Sequence, residues 1–223
     1  MALSPAPGAA LTTPGYLHRG LDELFRMARG TPLQPECEAF YFIRHGETEG
    51  NAKRIFQHAE IPLNERGRQQ AEAASAALAN ARLERVYAST MTRAWTTAEA
   101  IARPHSLTPI PEDGLRERWF GDLVGTPSHD HDWREDPPNG ETLHTFVTRT
   151  QAGITRSLVE AGKVRTALVG HGGILYVLAP SLGLDITTEL LANATPLLFE
   201  RCGGSAWQVT RVADVGARGD NVA

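Results

Sequence analysis

The chain has 223 residues, 41% of them hydrophobic and 22% charged, which suits one well-buried globular domain and excludes a disordered or fibrous chain. Its 22 Lys and Arg against 26 Asp and Glu leave a formal charge of −4, so an extended cationic surface for nucleic acid or anionic lipid is not expected. No apolar run reaches the roughly 18–20 residues that cross a bilayer. Two cysteines, Cys37 and Cys202, cannot staple a secreted scaffold and fit a reducing, cytoplasmic setting.

Residues 1–15 carry no charge and are interrupted by Pro5, Pro7 and Pro14, which breaks the apolar stretch a secretory leader needs. A flexible lead-in is expected there. Leu17, Leu21, Leu24, Phe25 and Ala28 then recur at helical spacing, opposite Arg19, Asp22, Glu23 and Arg26, and predict a short amphipathic helix closed by Gly30 and Pro32. Its apolar stripe is expected to dock on the protein itself rather than on a membrane; a second copy of the chain would cover it in a homodimer. Residues 1–37 are read as an N-terminal extension, 38–212 as the domain, and 213–223 as a frayed tail.

Within the domain, Ala39–Ile43 is a continuous apolar run, as a strand buried on both faces requires. Asn64 is placed to cap a helix carrying Ala71, Ala74, Leu78 and Ala81, and Val86–Ala88 reads as a second strand. Ser89 or Thr90 is expected to cap a helix running to Ile101, and a long helix is predicted over residues 141–161. Thr166–Val169, Pro196–Phe199 and Trp207–Val209 read as later strands. Strands alternating with helices of this length predict a three-layer α/β/α sandwich around a mostly parallel central sheet.

Three of these strands run into chemistry-bearing residues: Arg44-His45-Gly46, the segment Ser89–Arg93, and His171-Gly172-Gly173. Ligands of open α/β sheets bind beyond the carboxyl ends of the strands, so two Arg and two His are delivered to one edge. Each strand is followed by a predicted helix whose first N–H groups can face an anion. Phosphate is the guest that suits such a cluster, because guanidinium grips it through paired, charge-assisted hydrogen bonds.

Arg44-His45-Gly46, Arg93 and His171-Gly172, with Asn51, the segment Ile61–Gln70, Leu115–Gly121 and Gly140-Glu141-Thr142 in that order, resemble the histidine phosphatase superfamily in its phosphoglycerate-mutase-like branch. The resemblance runs from about Ala39 to Val209. It implies the fold of that branch, His45 as nucleophile, Glu117 as general acid, a phosphate pocket of Arg44, Asn51, Arg93, His171 and Gly172, and neither metal nor cofactor. Gln57 stands where many relatives have a glycine on the transferring phosphate and is expected to offer a side-chain donor instead.

The chemistry can be argued beside the resemblance. Adjacent guanidiniums disfavour imidazolium and keep His45 in its nucleophilic form. The cations would neutralise the oxygens of the transferring phosphoryl group. A carboxylic acid facing a dianionic phosphate retains its proton and can protonate the leaving alkoxide. Glu112, Asp113, Asp122 and Glu141 compete with Glu117 for that role, whereas Glu47 and Glu49 read as solvent-facing or helix-start charges. His129-Asp130-His131-Asp132 has a metal-like spacing but reads as a solvated loop.

Two features separate phosphatase from mutase. The linker between Gly125 and Gly140 is short and has Arg134 but no Lys, whereas the mutases carry a longer, basic insertion there that holds phosphoglycerate. Arg118 and Phe120 point the other way, since they follow Glu117 much as in the mutases. The sequence therefore predicts a metal-independent phosphatase that acts on a small phosphorylated metabolite and releases inorganic phosphate. A cofactor-dependent phosphoglycerate mutase and a non-catalytic module that binds a phosphorylated ligand are the alternatives.

Overall fold

The computed structural model describes residues 18–212; the expected lead-in before His18 and the expected tail from residue 213 lie outside the described residues. In chain order the elements are α1 (Leu21–Gly30), β1 (Ala39–Arg44), α2 (Glu49–Lys53), α3 (Glu65–Leu78), β2 (Arg85–Ala88) and α4 (Thr92–Ala102). There follow β3 (Ile110–Pro111), α5 (Leu143–Ala161), β4 (Thr166–Gly170), α6 (Gly172–Ser181), β5 (Pro196–Arg201) and β6 (Trp207–Arg211).

The strands form one sheet in the order β3-β2-β4-β1-β5-β6. The first four run parallel to one another, and β5 and β6 are added antiparallel beyond β1. Period-two alternation explains why the central strands are apolar throughout. Phe40, Phe42, Tyr87, Leu168, Leu197 and Phe199 face the core beneath α1, α5 and α6. Ile43, Val86, Ala88, Ala167 and Val169 face the core beneath α3 and α4. Phe40 and Phe199, paired across β1 and β5, stack with centroids 5.1 Å apart. The predicted three-layer sandwich is the fold observed.

Helix α6 is apolar all round and buried along most of its length, which requires cover on every side. α1 supplies part of that cover through Leu21, Leu24 and Ala28. Gln151 on α5 ties down its end by donating to the carbonyls of Ala28 and Thr31 at 3.0 and 2.8 Å. The amphipathic stripe thus docks on its own protein, and α1 belongs to the same core as the sheet, on the domain's side of the division drawn at residue 38.

Asn64 caps α3, accepting from the Gly67 N–H at 2.7 Å. The expected cap on α4 is not there: Met91 holds the N-cap position without a side-chain bond, and Ser89 stays with the sheet, its N–H donating to Val169. Ala81 lies past the end of α3. The two-residue β3, with its Pro111, occupies the sheet edge, where a missing N–H costs no ladder bond. Among the described residues no helix is long and apolar enough to cross a membrane.

Candidate active site

Parallel pairing in register ends β1 and β4 together, Arg44 opposite Gly170, so His45 and His171 leave the sheet side by side. Their ring centroids are 5.0 Å apart. The His45 N–H donates to the Gly170 carbonyl at 2.9 Å, and the Gly46 N–H to Thr97 Oγ1 at 3.1 Å. A Cβ on Gly46 would stand 2.3 Å from the Gly67 carbonyl oxygen, so only glycine lets this turn lie against α3.

The His45 ring is oriented by its own backbone. Nδ1 lies 2.7 Å from the Gly46 carbonyl, a pure acceptor, so Nδ1 carries the proton and Nε2 keeps its lone pair. Arg93 Nε donates to that Nε2 at 3.3 Å. Burial first, then the Arg93 and Arg44 guanidiniums, hold the His45 pKa well below the ordinary imidazole value. His171 is lowered in the same way by burial, Arg93, His45 and Arg44. Both rings are therefore neutral at physiological pH.

The cations are fixed by neutral partners rather than by acids. Arg93 Nη1 donates to the His58 carbonyl at 3.0 Å and Nη2 to Met91 Sδ at 3.3 Å, and burial brings its pKa down to about 10. Arg44 Nη1 donates to the Leu191 carbonyl at 2.6 Å, while its Nε is buried with no partner. His171 Nδ1 is likewise buried and unpartnered, and its Nε2 lies 2.8 Å from Ser89 Oγ. Orphaned buried groups cost free energy unless a ligand satisfies them, so the arrangement suits an anion from outside.

Glu117 stands apart from the competing acids. Its Oε1 accepts from the Arg118 N–H at 2.9 Å and its Oε2 from the Gly173 N–H at 3.1 Å, and among the described residues no cation forms a salt bridge with it. Glu112 is taken by Arg156, Asp113 faces Arg116 at 3.8 Å, Glu141 is held by Arg149, and Asp122 accepts from Asn139. A Cβ on Gly173 would meet Glu117 Oε1 at 2.1 Å, which explains the second glycine after His171. At this helix start the Gly173 N–H is taken by the protein's own Glu117 side chain rather than by a foreign group.

His45, Arg44, Arg93, Glu117, Asn51 and Gln57 line one cavity of about 120 Å³. His171 and Gly172 are not in its wall; His171 is fully buried against His45, and a Cβ on Gly172 would stand 3.8 Å from the Arg44 guanidinium. Asn51 forms a capping box with Thr48, its Oδ1 accepting from the Thr48 N–H at 3.2 Å. Gln57 Oε1 accepts from Thr48 Oγ1 at 2.6 Å. Both amides thus spend their oxygens on Thr48 and keep their NH2 donors. Glu47 is half-buried beside Asn64 and Arg66 rather than solvent-facing.

The linker over 126–139 is exposed along most of its length, His129 and Asp130 included, but is anchored around His131–Trp133. Arg118, whose side chain is 0% exposed, donates to the carbonyls of Glu141, Trp133 and Glu135 and reaches Asp136 at 3.3 Å. His131 packs edge-on against Phe56 and Phe120, and Asp132 is gripped by Arg134 through two bonds of 3.0 and 2.6 Å. Apolar stacking and a closed ion pair therefore fix a segment whose sequence looks polar. Among the described residues no three His, Cys, Asp or Glu cluster to hold a metal ion.

Sequence reasoning missed two residues. Ser89 reads as a helix cap, and its bond to His171 emerges only from the pairing of β2 with β4. His18 lines the cavity from a segment ahead of α1, with nothing in its sequence context to mark it.

Residues 40–213 match the family model of the histidine phosphatase superfamily, branch 1. The chain belongs to this family. It is 34% identical over 181 residues to an agropine synthesis reductase of Rhizobium rhizogenes, covering 76% of this chain and 41% of that protein. It is 31% identical over 191 residues to the 2,3-bisphosphoglycerate-dependent phosphoglycerate mutase of Azorhizobium caulinodans, covering 74% and 92%. The alpha-ribazole phosphatase of Shigella flexneri shares the fold, with a TM-score of 0.65 at 24% identity over 78% of this chain and 95% of that one. The chain spans about two fifths of the length of the agropine synthesis reductases it matches. Phosphatases and phosphoglycerate mutases both stand among the histidine phosphatase relatives of this chain.

Proposed function

We propose that this histidine phosphatase family member is a metal-independent phosphatase that hydrolyses a small phosphomonoester through phospho-His45. The observation that carries the reading is the pairing of the Nδ1-protonated His45 with unneutralised Arg44 and Arg93. In the first step Nε2 forms a bond to phosphorus, the bond to the leaving oxygen breaks, and Glu117 protonates that oxygen. In the second, water attacks phosphorus, Glu117 takes its proton, the nitrogen–phosphorus bond breaks, and inorganic phosphate departs.

Arg44, Arg93 and His171 Nδ1 stabilise the equatorial oxygens, with Asn51, Gln57 and the Gly172 N–H as neutral donors. The guanidiniums do what a divalent cation does elsewhere, so chelation with EDTA should leave the rate unchanged. Phosphatase is favoured over mutase by Arg118 and Arg134. Arg118 spends its donors on the protein's own carbonyls, and Arg134 is closed on Asp132, so neither is free to hold the carboxylate of phosphoglycerate.

The test is a panel of phosphomonoesters assayed both for phosphate release and for isomerisation of 3-phosphoglycerate. Phosphate release that vanishes in His45→Ala supports the reading. Stoichiometric conversion to 2-phosphoglycerate without free phosphate would establish a mutase, and tight ligand binding without turnover a binding module.

A further inference from the structure

The catalytic cavity is too small for a whole substrate, and it shares the lining residues His18, Arg44, Asn51, Ile55 and Ser128 with a second, polar cavity of about 460 Å³. Cavities of several hundred Å³ take small metabolites. The N-terminal segment helps to build this compartment, although residues before 40 fall outside the match to the family. Arg19 is stitched to the 126–139 linker: its carbonyl accepts from the Trp133 N–H at 2.8 Å. A Cβ on Gly20 would meet Asp132 Oδ1 at 2.0 Å, so the chain passes here only as glycine. The His18 ring, just before this stitch, is set against Trp133 and Tyr176 with centroids 6.1 and 6.5 Å away.

Charge in the compartment is unbalanced. Its acid, Glu47, is already engaged by Asn64 at 3.0 Å and faces Arg66 at 3.5 Å. His129 faces Asp130 at 2.9 Å. Among the described residues exposed Arg54 has no ion pair or side-chain hydrogen bond, and its left-handed backbone, φ 52°, turns the chain at the end of α2 beside the compartment. A guanidinium and an imidazole that have no hydrogen-bond partner among the described residues thus share one polar chamber next to the phosphate pocket.

We infer that His18 and Arg54 are specificity-determining residues, and that the compartment they line selects a leaving group bearing an acidic group of its own, a carboxylate or a second phosphate. The inference rests on the phosphatase reading and adds the class of substrate to it. Arg54 would pair with the acidic group, and His18 would hydrogen-bond the leaving group's polar atoms while closing the wall between the two cavities.

Matched substrates test this. 3-Phosphoglycerate and glycerol 3-phosphate differ in a carboxylate, fructose 1,6-bisphosphate and fructose 6-phosphate in a second phosphate, and phenyl phosphate lacks both. The wild type should prefer the acidic member of at least one pair by about tenfold or more in kcat/KM, since a site built for a polar group rejects the analogue lacking it. Which pair shows the preference tells carboxylate from phosphate. Arg54→Gln should erase the preference. His18→Ala should raise KM for the preferred substrate about tenfold more than for phenyl phosphate, with kcat little changed. Each comparison is made within one variant, so a partly folded sample does not distort it. Equal activity on both members of both pairs, or losses in the variants that are equal on all substrates, would overturn the inference while leaving the phosphatase reading intact. Absence of turnover on every substrate, phenyl phosphate included, would overturn both.

Discussion

The two ends of the sheet carry cavities of opposite character. At the amino end, beside the starts of β1 and β4, a cavity of about 430 Å³ is lined by Glu36, Glu38, Lys163, Arg165 and Glu200, where acids and bases mix at the surface. At the carboxyl end Arg93, His45 and His171 are buried, held by carbonyls, a thioether and a hydroxyl instead of carboxylates. The cavity at His45 and Arg93 is the smaller, about 120 Å³, and what distinguishes it is electrostatic incompleteness. Burying cations without counter-ions is unfavourable, and a fold retains such a cluster where an anionic guest completes it.

The sharpest way to break this comparison is at the buried cations. Arg93→Ala should lower kcat by about two to three orders of magnitude, because it removes both the orienting bond to His45 Nε2 and a donor to the transferring group. A loss below tenfold in steady-state kinetics would place the reacting phosphoryl group elsewhere. Glu117→Gln comes next. It should slow alkyl phosphates by about a hundredfold more than p-nitrophenyl phosphate, whose leaving group needs no proton. Equal losses on both would remove the acid role.

A smaller effect lies in the stability of the unliganded protein. Burial and the guanidiniums depress both imidazoles below the value of 6.5 expected in the unfolded chain. The unfolded chain therefore binds more protons than the native one below about pH 6.5, and stability falls as pH drops through that window. Each imidazole contributes up to about 1.4 kcal/mol per pH unit there. Denaturant melts between pH 7 and 5 should show this slope, and His171→Gln should flatten it. The smallest effect is expected at the amino end: Lys163→Ala, an exposed charge of the mixed cavity, should change turnover by less than about twofold.

Most of the carboxyl end was legible in the sequence because two independent periodicities point there. Strands apolar on both faces announce a covered sheet, and Arg44-His45, Arg93 and His171 sit just past their ends. Glu117 could not be separated from its acidic neighbours by residue type alone; in the structure Glu112, Asp113 and Glu141 each face an arginine, Asp122 accepts from Asn139, and Glu117 lines the cavity. What stayed hidden depends on contacts across long stretches of chain. Arg118 follows Glu117 as a substrate-binding arginine would, yet it is buried among the carbonyls of the 126–139 linker. Ser89 has the sequence of a cap and the position of a partner to His171. His18 comes from a segment whose only visible signal was the amphipathic stripe of α1, and that stripe indicates docking without saying which residues reach the mouth.

The most direct test is rapid quenching of the protein with a 32P-labelled phosphomonoester, followed by mapping of the labelled peptide. An acid-labile, alkali-stable label on His45, formed at least as fast as steady-state turnover and absent from His45→Ala, is the predicted result. Turnover without such a label, or a label that persists in the variant, would contradict the central claim that Nε2 of His45 attacks phosphorus.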